Sequence, residues 1–136
     1  MFEAYTTTPA VYETDAAIAF TDIRYRDCRI STATPTSVRI VTPGRYFVEF
    51  HGVGASNTAA SPFTVALYRN DVAIPGVVTT ITSTAAGDEQ TLSLGTIVNV
   101  SPSCCYVDNE VNLRLVVTSE EPGTLSSGNI TIFRLK

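Results

Sequence analysis

Short runs in which apolar and polar residues alternate, separated by Gly, Pro, Asn and Ser, follow one another along the chain. Alternation with a period of two puts every second side chain on the same face of a β-strand. Many such runs with turn signals between them predict an antiparallel sandwich or barrel. The clearest run is Arg45 to Val53, with Tyr46, Val48 and Phe50 on one face and Arg45, Phe47, Glu49 and His51 on the other. Thr42-Pro43-Gly44 provides the turn that separates it from a short strand, Ser37 to Val41. Gln90 to Val100 places Leu92, Leu94, Thr96, Val98 and Val100 together. Val111 to Val117 sets Val111, Leu113, Leu115 and Val117 against Asn112 and Arg114.

Further strands are predicted over Ala17–Phe20, Ile23–Ile30, Phe63–Arg69, Val72–Ile74 and Val77–Thr84, with a closing strand over Asn129–Leu135. Asn70-Asp71 and Pro75-Gly76 read as turns, and the small or polar stretches Gly52–Pro62 and Glu120–Gly128 as loops. The fold class is all-β: about eight to ten strands in a two-sheet antiparallel jelly roll, with no helix. Residues 15–136 form this single domain. Residues 1–14 precede it as an arm in which Phe2, Tyr5 and Tyr12 stand among Thr residues, a composition that suits an anchor better than a core. The expected inter-sheet core is Tyr46, Val48, Phe50, Leu67, Leu92, Leu94, Leu113 and Leu115.

Two strands carry more apolar residues than a core needs. Phe47 lies on the face opposite Tyr46, Val48 and Phe50. The closing strand has Ile130 and Ile132 on one face, and Phe133 and Leu135 on the other. A lone antiparallel sandwich keeps its outer faces polar. Large apolar residues there mark a partner surface.

Composition agrees with the strand reading. The chain has 20 Thr, 15 Val and 9 Ile among 136 residues, nearly a third of the total. These β-branched residues suit a pleated sheet and lose side-chain freedom in a helix. A helical bundle, a coiled coil and a disordered tail are excluded. The net charge of −4, with only 9 Lys and Arg, offers no basic field to a phosphate backbone, so nucleic acid is not a partner. Apolar stretches are too short to span a bilayer, and residues 1–9 do not read as a secretory signal. The expectation is a protein made and assembled in a cytoplasm.

Candidate chemistry is sparse. Three Cys argue against a disulfide framework. Neighbouring Cys104 and Cys105 are expected as free thiols, because a vicinal bridge is strained, and Cys28 as a small core residue. His51 is the single histidine, and no ligand spacing for zinc is present. Asp108, Asn109 and Glu110 cluster in one segment but match no calcium loop, so a solvated acidic turn is expected. There is no nucleophile elbow, no phosphate loop and no paired carboxylates outside a polar loop. The expected catalytic, cofactor and metal residues are therefore none, and the protein is expected not to be an enzyme.

Two stretches carry a family resemblance. Thr42-Pro43-Gly44-Arg45-Tyr46-Phe47-Val48-Glu49-Phe50 is followed by Val65-Ala66-Leu67-Tyr68-Arg69-Asn70-Asp71-Val72-Ala73-Ile74-Pro75-Gly76. This order resembles the compact jelly roll of the tumour necrosis factor and complement globular-head superfamily, and is most similar to its bacterial and bacteriophage members. Asn129 to Leu135 resembles the final strand of those proteins. The resemblance implies a homotrimer packed about a three-fold axis through one sheet, and no enzymatic activity. Phe47, Glu49, His51, Phe133 and Leu135 are then the expected interface residues; three copies of His51 would meet if their face looks toward the axis, but the favoured expectation for His51 is a side chain bonded to a neighbouring strand. The functional expectation is a structural protein of a bacteriophage virion, a trimeric knob that decorates a capsid or caps a short head fibre. Residues 1–14 would anchor it to a capsid or fibre-base protein, and a host-surface ligand is possible. The alternative is a cell- or spore-surface module that recognises carbohydrate or protein.

Overall fold

The computed structural model describes residues 1–101 and 111–135. Eleven strands are found among them, all paired antiparallel, with no helix. In chain order they are β1 (Phe2–Thr6), β2 (Ala10–Tyr12), β3 (Asp22–Tyr25), β4 (Ile30–Thr34) and β5 (Ser37–Ile40). Then come β6 (Gly44–Ser56), β7 (Pro62–Arg69), β8 (Val72–Thr82), β9 (Gln90–Val100), β10 (Val111–Val117) and β11 (Gly123–Arg134). The front sheet runs β3-β1-β11-β6-β9, with β2 also pairing β11. The back sheet runs β4-β5-β10-β7-β8. This is the expected two-sheet jelly roll.

The core lies between the sheets, and period-two patterning builds it. Tyr46, Val48 and Phe50 of β6, Leu92 and Leu94 of β9, Leu67 of β7, and Leu113 and Leu115 of β10 are all buried. Ile130 and Ile132 of β11 join them. Phe20 meets Phe50 edge-on, with ring centres 6.2 Å apart. Tyr46 is fully buried, and its hydroxyl donates to the Thr42 carbonyl at 2.7 Å, so the polar tip is satisfied. Burial pushes that phenol above the usual tyrosine range.

Several boundaries differ from the sequence reading. Residues 1–14 are not a free arm. β1 lies between β11 and β3, and β2 pairs the start of β11. Phe2 and Tyr12 are buried in the core, and Tyr5 is half-buried on the outer face. The Thr-rich segment provides an edge that the long β11 needs, because an unpaired edge leaves its backbone groups open. Phe2 and Tyr12 therefore cannot serve as external anchors. Ala17–Phe20 is not a full strand; Ala17 bridges Val116, and Ile18 and Phe20 are buried. Ile23–Ile30 breaks after Tyr25 into a turn that exposes Cys28, so this thiol is not a core residue.

β6 and β11 run through stretches that read as loops. Gly52 and Gly128 face each other in the β6–β11 pair. A Cβ on Gly52 would stand 3.0 Å from the Phe50 ring, and one on Gly128 would stand 3.3 Å from it. Small residues here make room for a core ring. Val72 to Thr82 is one strand, interrupted rather than ended at Pro75-Gly76. Gly76 takes a positive φ of 78°, and the β7–β8 register shifts between Ala66 and Tyr68. Cys104, Cys105, Asp108, Asn109 and Glu110 lie outside the described residues.

Candidate functional site: the outer face of the front sheet

Side chains that β6 turns away from the core reach the outer face of the front sheet, where registered neighbours form rows. Phe47 stands between Phe133 of β11 and Ile97 of β9. Glu49 stands between Thr131 and Gly95. His51 stands between Asn129 and Ser93. On the far side of β11, Thr131 faces Glu3 and Asn129 faces Tyr5. Leu135 follows β11, its amide donating to the Arg45 carbonyl at 2.7 Å.

The face has two ends of different chemistry. One is apolar. Ile97, Phe133 and Leu135 are 48%, 37% and 43% exposed, and Phe47 is half-buried beside them. Phe47 lies over Gly95, where a Cβ would come within 3.2 Å of its ring. The absent side chain on β9 thus sets the seat of the Phe47 ring. Phe47 and Phe133, both among the expected interface residues, are direct cross-strand partners. Ile97 completes the group and was missed, although it is the one large apolar residue on the polar side of the β9 alternation.

The other end is polar and concave. Tyr5, Thr6, Thr7, Arg24, His51 and Asn129 are among the residues around an open cleft of about 320 Å3. Its curvature coincides with a register shift between Leu125 and Ser127 of β11. Arg24 Nη1 donates to Glu3 Oε1 at 2.7 Å, and Asn129 Nδ2 donates to the same oxygen at 3.4 Å. Glu3 is buried with both partners in place. The Arg24 guanidinium lies 4.7 Å from the centre of the Tyr5 ring, a cation–π distance. His51 Nε2 contacts Glu49 Oε1, two residues back on the same strand. No sequence spacing announces the Arg24–Glu3–Asn129 group; only the pairing of β3, β1 and β11 assembles it.

No group of three or more His, Cys, Asp or Glu that could hold a metal occurs among the described residues. His51 and Glu49 provide two donor groups, fewer than a structural site needs. No helix of the described residues is long and apolar enough to cross a membrane.

With this geometry in hand, the chain can be placed among solved structures. It has the jelly-roll fold of tumour-necrosis-factor and complement globular-head domains. Eiger TNF from S. frugiperda superposes with a TM-score of 0.75 at 12% identity, over 99% of this chain and 93% of that one. The globular domain of zebrafish complement 1qA gives 0.67 at 10% identity, over 99% and 96%. Murine APRIL at pH 5.0 gives 0.58 at 6% identity, over 96% and 98%. No family model matches the chain, and no curated protein matches its sequence. At these identities the likeness is one of fold.

Proposed function

We propose that the protein is a non-enzymatic, homotrimeric knob of a bacteriophage virion that decorates the capsid or caps a short head fibre. The trimer rests on one observation: Phe47, Ile97, Phe133 and Leu135 stand together on the outer face of the front sheet. Burying such a group against further copies removes apolar area from water at about 25 cal/mol per Å2. Closed cyclic symmetry does this without leaving an open end, and the superfamily resemblance favours three copies. The virion assignment draws on the resemblance of residues 42–50 and 65–76 to bacteriophage members. A capsid or fibre-base contact near the N-terminus would fall to exposed Thr7, Thr8, Pro9 and Val11, since Phe2 and Tyr12 are internal.

Light scattering of the purified chain at micromolar concentration tests the trimer. The expected mass is that of three chains, and a single-chain mass refutes it. Density-gradient fractions probed with an antibody to the chain test the virion role, with signal expected in the particle band and not only in the soluble fraction.

A second reading, a surface module for carbohydrate or protein, is favoured by the polar cleft beside Tyr5, His51 and Asn129. Binding of the intact oligomer to a glycan array, lost in Asn129→Ala, would favour this reading over a purely structural role.

A further inference from the structure

The two ends of the outer face belong to the same strands. Glu49 and His51 occupy the next two outward rows of β6 beyond Phe47 and Phe133. We infer that the surface covered by a second copy includes the His51–Glu49 pair, so that assembly takes up a proton at His51 and is tighter in mild acid than in mild alkali. This inference rests on the trimer proposed above.

The charges on the face give the direction. β6 contributes Glu49, β1 contributes Glu3 and Tyr5, and β3 contributes Arg24. The strands flanking β6 place only uncharged groups opposite the pair: Asn129 and Thr131 from β11, Ser93 and Gly95 from β9. Arg45 stands beyond Phe47 at the far end of the strand. Arg24 and Glu3 neutralise one another. While His51 is neutral, the Glu49 carboxylate is one uncompensated negative charge on a surface to be buried. Burying an unpaired charge is costly, and like charges from further copies add repulsion. Once His51 is protonated, its Nε2–H donates to Glu49, and the pair brings no net charge into the contact.

A single histidine makes the test clean. Sedimentation equilibrium over a dilution series would compare the wild type and His51→Gln at constant ionic strength, near pH 5.5 and near pH 8. For the wild type, the chain concentration at half-assembly is expected to be about tenfold lower at the acid pH. His51→Gln should assemble with the same midpoint in both buffers, which also controls for other groups that titrate in this range. If neither buffer dissociates the trimer, the midpoint of urea-induced dissociation is compared instead, with the same ordering expected. A wild-type trimer without the pH difference overturns the inference and leaves the trimer standing, as does a difference that survives in His51→Gln. A monomer at both pH values overturns the trimer itself and the inference with it.

Discussion

The outer faces of the two sheets obey the same alternation and end with opposite character. On the back sheet, Thr64 of β7 and Thr80 of β8 face each other with hydroxyls 3.0 Å apart. Arg114 of β10 pairs with Asp71 at 2.6 Å. Asn112 stands opposite Arg39. Val72 and Val78 of β8 are exposed, as is Val41 just after β5, while Val116 is covered. The front sheet answers with Phe47, Ile97, Phe133 and Leu135 in one group. Stability of the sandwich explains the inward side chains of both sheets equally. It does not explain the front group, which contributes little to the chain's own core. Under the trimer proposed above, the difference separates residues the fold requires from residues offered to a partner.

One pair of substitutions addresses that separation directly. Phe47→Glu should abolish assembly, leaving a single-chain mass by light scattering with an unchanged β-type circular dichroism spectrum. Thr80→Glu, the same charge on the back face, should leave the mass unaltered and shift stability by no more than about 0.5 kcal/mol. Loss of assembly in both, or in neither, would remove the distinction between the faces. Going inward, Phe50→Ala should cost about 3–5 kcal/mol in urea unfolding, because it opens a cavity between the sheets. Made in the Phe47→Glu background, the same change should cost a similar amount, since the two side chains lie on opposite faces of β6. A loss that appears only in the assembled protein would show that Phe50 acts through the oligomer.

A smaller effect is expected where the two sheets touch. Gly123 opens β11 in the front sheet, and Phe63 belongs to β7 in the back sheet. A Cβ at residue 123 would lie 2.4 Å from the Phe63 ring, which is fully buried and has nowhere to retreat. Gly123→Ala should therefore destabilise by about 1–3 kcal/mol through overpacking. Phe63→Leu should recover part of that loss if ring contact is the cause, as a double-mutant cycle by urea unfolding would register.

Much of this architecture could be read from alternation alone. All eight residues expected in the inter-sheet core are buried, and β9 and β10 have the expected bounds. Parity also puts Phe47, Glu49 and His51 on one outer face with Phe133. What local pattern could not give was any feature decided by partners distant in sequence. Phe2 looks like part of a polar arm until β1 is laid against Ile132, 130 residues later. Gly52, Gly54, Gly123 and Gly128 signal loops by composition, yet they lie in strands, where ring and leucine side chains fill the space. Arg24, Glu3 and Asn129 carry no motif; the order of strands β3, β1 and β11 brings them together.

The smallest expected effect lies at the edge of the front sheet, away from both outer-face centres. Asp27 follows β3 and is almost covered. The Arg29 amide donates to its carboxylate at 3.0 Å. The Arg29 guanidinium lies within 3.0 Å, and the Met1 amino group within 3.1 Å. The Arg29 amide bond is the main reason that its carboxyl is held below the usual aspartate value; burial opposes the shift, and the two positive groups add to it. A carboxyl with a lowered folded pKa stabilises the native state above its unfolded value, near 3.9. That contribution is lost as pH falls through the folded value. Asp27→Asn should therefore be less stable than wild type at pH 7, by about 1 kcal/mol or less. The gap should close as unfolding is measured at progressively lower pH through the carboxylate range. If the gap instead stayed constant down to about pH 2, the loss would come from packing at the turn and not from the charge.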